Sequence, residues 1–387
     1  MPPAMKILLV QDHLRSGGTE RQTILLANAF AAAGQPTTLL TFRPGGPLAP
    51  TLSPAVVHRA LQPIDTRLDW FAPGLRRALA RAAPDIVLCM GRMANCYATR
   101  IADLLSRTRP FQEANDEPLL TGRQRPAAKI KRSKTATLGT MRTGKPLPWL
   151  ARRSLGRVAH IVANSEAARA TLQTRYGVPP ARISVIPNAL VFAPLPPAET
   201  AAARAALRRE HGATPATTVL LDCAMFRPEK NQRELLEIAA HLPADFPWQL
   251  WLAGDGATLA ATRAHAAHLG IADRVLFLGF VADPRPLYAA ADLAVHASRS
   301  ESLCNFLLEA QAAGLPAVAV RAQGIEECLT RPGETGLVIA PDDRDGFRRA
   351  ILHFAQPRAP LPATAPEATA APAAAYLALF RQLLARP

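Results

Sequence analysis

Glu301 and Glu309 stand eight positions apart in the run Glu301-Ser302-Leu303-Cys304-Asn305-Phe306-Leu307-Leu308-Glu309, and an apolar stretch continues to Gly314 and Pro316. An apolar strand (293–296) and a small polar turn come first. The pattern therefore predicts one carboxylate in a loop and the other in the opening turn of a helix, close in space without being neighbours. Carboxylates so placed can accept hydrogen bonds from two sets of hydroxyls, as at the two ends of a sugar nucleotide. The helix-opening N–H groups of Ser302, Leu303, Cys304 and Asn305 would face a diphosphate between them. The spacing equally allows a Glu309 that only complements the helix dipole and a solvated Glu301.

A cationic turn, Arg227-Pro228-Glu229-Lys230-Asn231, lies earlier in the chain between a strand (218–223) and a helix (231–241). Arg227 and Lys230 there can neutralise a departing diphosphate, although such clusters also occur in plain surface turns. Gly254 and Gly256 end the next strand and permit either close backbone approach to a ligand or a tight turn. Gly17-Gly18-Thr19-Glu20 forms a loop at the carboxyl end of the first strand, where α/β sheets bind ligands. The residues before it lack G-x-G-x-x-G spacing, which disfavours a dinucleotide-binding dehydrogenase.

Positioning these groups requires parallel sheets. A strand at 6–10, the glycine loop, a helix at 21–33 and a strand at 37–42 make a β-loop-α-β start, and 84–89 adds a buried strand ending in a Gly-Arg loop. Short apolar strands are expected at 159–163 and 183–186. The closely spaced prolines of 192–197 predict a linker, after which the alternation restarts. Strands are expected at 218–223, 248–253, 275–278, 293–296 and 317–320, with helices at 231–241 and 258–269. The reading is α/β, two Rossmann-like doubly wound domains, 1–192 and 193–355. A loose Pro/Ala-rich connector follows from 356, then a helix at 373–385 with Leu377, Phe380, Leu383 and Leu384 on one face.

At 387 residues, 49% hydrophobic and 19% charged, the chain can bury two cores, so disorder as its main state is excluded. The net charge of +15 points to an anionic partner. Residues 123–165 contain eleven basic side chains and no acidic one, with a basic insertion at about 112–136. This reads as a solvated, partly disordered loop or as a basic face toward an anionic lipid or acceptor. Trp149 is the one aromatic among those charges, too few for a nucleic-acid stacking platform. The five cysteines are scattered, without C-x-x-C or a neighbouring His for a zinc set, and read as reduced thiols of a cytoplasmic protein. Cys304 reads as packing. The apolar run at the N-terminus is too short for a signal peptide, and none reaches the length of a membrane span.

In order along the chain, Gly17-Gly18-Thr19-Glu20, Val162-Ala163-Asn164-Ser165-Glu166, Val185-Ile186-Pro187-Asn188, the Arg227–Asn231 turn, Leu252-Ala253-Gly254-Asp255-Gly256, Val275 to Phe280 and the Glu-x7-Glu block resemble the retaining GT-B glycosyltransferases called group 1 or family 4. The resemblance runs through nearly the whole chain. It implies two domains facing across a cleft, the final helix returning to the first, and a nucleoside-diphosphate sugar as donor. By this likeness Glu301 holds the donor sugar, Glu309 the ribose and Lys230, with Arg227, the diphosphate. Backbone near Phe280 and Val281 frames the base, the amides after Glu301 meet the phosphates, and Gly17 and Gly18 meet the diphosphate and acceptor. It implies no bound metal or cofactor, and a glycan or glycolipid acceptor in cell-surface polysaccharide or lipopolysaccharide assembly, beside the cytoplasmic membrane. Arg92, Asn95 and His13 are acceptor-side candidates. Two positions depart from the family pattern. Met225 stands where an arginine is common, and Arg142 where a histidine is common; an arginine cannot accept a proton at neutral pH but can stabilise an anionic acceptor or phosphate, which keeps Arg142 a catalytic candidate. These departures keep two rivals open: a sugar-nucleotide epimerase or hydrolase of the same fold, and a non-catalytic relative that binds nucleotide sugars.

Overall fold

The computed structural model describes residues 4–107, 135–190, 194–329, 331–356 and 367–385. Most of the expected basic insertion at 112–136 and residues 192 and 193 of the expected linker lie outside them.

Thirteen strands form two all-parallel sheets among the described residues. The first contains β1 (Ile7–Gln11), β2 (Thr37–Thr41), β3 (Val57–Ala60), β4 (Ile86–Cys89), β5 (Ala136–Met141), β6 (His160–Ala163) and β7 (Ile183–Val185), in the order β3-β2-β1-β4-β5-β6-β7. The second contains β8 (Thr218–Cys223), β9 (Trp248–Ala253), β10 (Val275–Gly279), β11 (Leu293–His296), β12 (Ala317–Val320) and β13 (Gly336–Ile339), in the order β10-β9-β8-β11-β12-β13. The apolar runs of the central strands follow from burial on both faces. Along β1, Ile7 and Leu9 enter one core while Leu8 and Val10 enter the core on the opposite face.

The connecting helices are α1 (Gly18–Ala32), α2 (Leu75–Ala82), α3 (Arg92–Arg107), α4 (Trp149–Leu155), α5 (Glu166–Thr174), α6 (Pro197–Glu210), α7 (Gln232–Ala239), α8 (Leu259–His268), α9 (Arg285–Ala290), α10 (Asn305–Ala312) and α11 (Arg344–Phe354). A last helix, α12 (Glu367–Ala385), follows the second sheet but packs on the first. Its Phe380 and Tyr376 rings meet Phe30 of α1 edge-on at 5.6 and 6.2 Å.

Several local expectations are corrected. Helix α1 opens at Gly18, so Gly18, Thr19 and Glu20 occupy its first turn rather than a loop. Arg92 opens α3 instead of ending a loop. Pro197 starts α6, a position where its missing N–H costs nothing. Residues 367–372, expected as a loose connector, are already helical. From Ala136 onward the basic stretch folds into β5, α4 and β6, because all six residues of β5 are buried. Glu309 sits in the second turn of α10, one turn later than expected.

Candidate active site

The carboxyl ends of the two sheets face each other across a cavity of about 720 Å³. Lys230, Glu301 and Glu309 all border it, as do Arg227, Arg142, Gly17, Gly18, Gly254, Phe280, Val281, Ser302, Leu303, Cys304, Asn305, Arg92 and Asn95. His13 does not, and its Nε2 lies 3.1 Å from Pro44 O instead.

Lys230 and Glu301 converge because two turns are tied together. Ser298 Oγ and Arg299 N–H both donate to Glu229 O, at 3.2 and 2.9 Å, so the turn after β11 is held against the turn after β8. The Lys230 ammonium then bonds Glu301 Oε1. His296, the last residue of β11, approaches the same oxygen with Nε2 at 2.9 Å, and its Nδ1 lies 2.8 Å from Asp222 Oδ1. Burial would raise the Glu301 carboxyl, but His296 and Lys230 outweigh it and hold its pKa at about 2. Burial likewise opposes a charge on Lys230 and on His296. The neighbouring Glu301 carries Lys230 upward all the same, and the Cys304 sulfur and Asp222 carboxylate raise His296 well above the ordinary histidine range.

Glu309 has a different environment. Tyr288 Oη of α9 donates to its Oε2 at 2.6 Å. Burial raises the Glu309 carboxyl, and the Tyr288 hydrogen bond and the Arg21 charge offset only part of that. Glu301 is therefore a firmly ionised acceptor, whereas Glu309 is more easily protonated. Between them, Gly254 lets the end of β9 pack against the loop after β8: with φ at 145°, a Cβ there would lie 2.0 Å from Ala224 O.

On the opposite wall, Glu20 lies under Gly17 at the start of α1, and burial lifts its carboxyl to about 7. Asp12 caps α3, accepting from Met93 N–H at 3.0 Å and Ala94 N–H at 2.8 Å. One acceptor-side candidate, Asn95, and Arg142, at the position where a histidine is common, are committed to the protein itself. Asn95 accepts from Thr140 N–H at 2.9 Å and donates to Gly91 O at 2.9 Å. Arg142 donates to Asn188 Oδ1 at 2.5 Å and to Tyr376 Oη of α12 at 2.8 Å. Arg92 is exposed at the rim.

The two walls also touch. Ser302 Oγ donates to Asn164 Oδ1 at 2.5 Å, Asn188 donates to Asn305 Oδ1 at 2.6 Å, and Lys145 pairs with Glu229 at 2.7 Å. The Cys304 N–H, expected to face a phosphate, points instead at Cys328 Sγ, 3.3 Å away. Both thiols are buried, as packing requires.

Sequence reasoning missed His296, Asp222 and Tyr288. The signal for the first two was present: a histidine and an aspartate inside otherwise apolar strands. The absence of a histidine beside the cysteines held only along the chain. In space, ligand atoms of His296, Glu301 and Cys304 lie within 4.8 Å of one another, a set a metal ion could use. The Lys230 ammonium already shares Glu301 Oε1 and opposes a second cation there.

Two family models match the chain in succession, Glycosyltransferase Family 4 over residues 16–191 and Glycosyl transferases group 1 over residues 217–356. The lipopolysaccharide core biosynthesis glycosyltransferase LpsE of Rhizobium meliloti is 39% identical over 139 residues, 36% of this chain and 40% of that protein. The D-inositol 3-phosphate glycosyltransferase of Rhodococcus opacus is 34% identical over 218 residues, 54% of this chain and 48% of that protein. The chain thus spans less than half the length of these curated relatives. The crystal structure of Anabaena HepE in complex with UDP-glucose superposes with a TM-score of 0.71 at 21% identity, covering 98% of this chain and 95% of that one. That likeness establishes the GT-B fold.

Proposed function

This chain belongs to the group 1 and family 4 glycosyltransferases, and on that premise we propose that it moves a sugar from a nucleoside-diphosphate donor to a glycan or glycolipid acceptor with retention of anomeric configuration. The observation that carries the reading is the convergence of Glu301, Glu309 and Lys230 on one cavity between the two sheets. Glu301, ionised and aimed by two donors, accepts from the sugar hydroxyls, and Glu309 accepts from the ribose. Lys230 and Arg227 meet the diphosphate, where charge grows as the bond to the anomeric carbon breaks. The acceptor oxygen bonds that carbon on the face the diphosphate leaves, and its proton passes to a departing phosphate oxygen. Because the diphosphate takes the proton, Arg142 has no base role to fill, and its bonds to Asn188 and Tyr376 fit a structural one. The site needs no metal in this scheme, since the cations are supplied by side chains.

The acceptor side suits a membrane surface. Trp149 and Leu150 open α4 at 60% and 53% exposure, next to Arg152 and Arg153. Trp70, 56% exposed, is held beside α3 by the Tyr97 hydroxyl on its carbonyl. Aromatic side chains among arginines favour an anionic lipid interface. A lipid-borne acceptor in cell-surface polysaccharide or lipopolysaccharide assembly, reached from the cytoplasmic face, accords with this surface and with the name of LpsE. No helix among the described residues is long and apolar enough to cross a membrane.

A thermal-shift screen of nucleoside diphosphates and their sugars tests the donor site. One base should raise the melting temperature, and Glu309→Ala and Lys230→Ala should each reduce that shift. An undiminished shift in both variants would remove the site assignment.

A further inference from the structure

His296 is 1% exposed at the end of β11 and bridges two carboxylates, Asp222 of the adjacent strand β8 through Nδ1 and Glu301 through Nε2. Ionised carboxylates only accept hydrogen bonds. A ring with a single N–H would turn a lone pair toward one of them, so this geometry is satisfied by a ring carrying both protons. Phe306 closes over the ring with its centroid 5.8 Å away. Asp222, His296, Glu301 and Lys230 thus form a row of alternating charge that sums to zero, the arrangement burial demands. Within that row Glu301 Oε1 takes both donors, and no described residue donates to Oε2.

We infer that His296, anchored by Asp222, is a positioning residue that clamps Glu301 through Oε1 and so presents Oε2 to the sugar ring of the donor. Lys230 alone would not fix that direction, because an ammonium on a four-carbon stem follows a rotating carboxylate. A flat ring pinned at its far nitrogen by a buried aspartate does not follow, and the supporting pair sets the aim of the group that touches ligand. Asp222 and His296 then govern how tightly the sugar half of the donor is held, while the nucleoside diphosphate half binds independently of them. The inference rests on the reading of Glu301 as the sugar-holding carboxylate.

Calorimetric titration of the full chain with UDP and UDP-glucose, GDP and GDP-mannose, and ADP and ADP-glucose separates the two claims. The wild type should prefer the sugar-bearing member of one pair, and Glu301→Gln should erase that preference. Asp222→Asn and His296→Gln should each weaken the sugar-bearing ligand about tenfold, the worth of one charge-assisted hydrogen bond, with the plain diphosphate nearly unchanged. Should a single replacement fail to fold, the double variant Asp222→Leu with His296→Leu removes opposite charges together and must give the same selective loss. A preference lost in Glu301→Gln but intact in the Asp222 and His296 variants overturns the positioning role alone. Equal weakening of both ligands in those variants also overturns it, as a merely structural effect. A preference that survives Glu301→Gln, or is missing from the wild type, overturns the reading of Glu301 itself.

Discussion

Gly144 is where the closeness of the two halves can be tested with a single methyl group. It lies in the turn after β5, and a Cβ built on it would stand 1.9 Å from the carbonyl oxygen of Glu301 and 2.8 Å from its carbonyl carbon. Both obstacles are backbone, so no side chain can swing aside. Cβ atoms essentially never approach closer than 3.0 Å, so Gly144→Ala must push the two turns apart by about 1.1 Å or more. The residue does not use a positive φ, and alanine there carries no backbone strain. The displaced group is Glu301 itself, together with the Ser302–Asn164 and Lys145–Glu229 contacts on either side. A misplacement of about 1 Å at a reacting centre costs on the order of 10²-fold in rate. Turnover, followed as release of nucleoside diphosphate in the presence of acceptor, should fall by about that factor. Nucleoside-diphosphate affinity, to which Glu309 contributes at the ribose, well away from this contact, should barely change, and so should the melting temperature. A Gly144→Ala enzyme with undiminished turnover would show that the halves do not meet at this point during catalysis, and the closed cavity would lose its functional meaning.

Other perturbations probe the remaining walls. Arg142→Ala removes two charge-assisted hydrogen bonds that hold α12 and Asn188, so denaturant unfolding should report a loss of about 2 kcal/mol or more with diphosphate affinity unchanged; a fall in turnover at full stability would instead make Arg142 a catalytic residue. Glu20 is protonated below about 7 and ionised above it, and its charge then stands on the lining of the cavity in which the proposed function places the diphosphate. Diphosphate affinity measured by calorimetry should therefore decline as pH rises through 7, and Glu20→Gln should flatten that slope; an unaltered slope would place the titrating group elsewhere. Trp70→Glu combined with Trp149→Glu should weaken co-sedimentation with phosphatidylglycerol vesicles and leave donor binding intact, and equal sedimentation of wild type and variant would exclude this face as the contact.

The legible parts of the fold were those where burial on both faces leaves an apolar run. Strands 218–223, 248–253, 293–296 and 317–320 coincide with β8, β9, β11 and β12, because each is central or next to centre and lined on both sides. The edge strand β3 was not seen, and all four of its residues are exposed, so it carries no apolar period to read. The start of α1 was misplaced because glycines read as loop, whereas here they open a helix whose third residue, Glu20, folds back toward Gly17. Helix α12 was shortened because Pro372 reads as a breaker, yet the helix runs through it.

The chemistry was half legible for a related reason. Motif spacing finds groups that line the cleft, since Glu301 and Lys230 sit in turns and Glu309 in the second turn of a helix, at the carboxyl ends of strands that a cleft of this topology exposes. The groups that aim them lie deeper and leave only a polar letter in a buried strand. Asp222 in Thr218–Cys223 and His296 in Leu293–His296 are such letters, and each alone looks like an error in a hydrophobic run. The parallel pairing of β8 with β11 makes them neighbours: Leu293 lies beside Leu220 and Ala294 beside Leu221, which brings the two polar residues to the same carboxyl end. A charged residue buried in a strand needs a partner of opposite charge, and in a parallel sheet that partner is sought at the same height on an adjacent strand. Given the adjacency of β8 and β11, that rule pairs Asp222 with His296, and the next acid along the chain from His296 is Glu301.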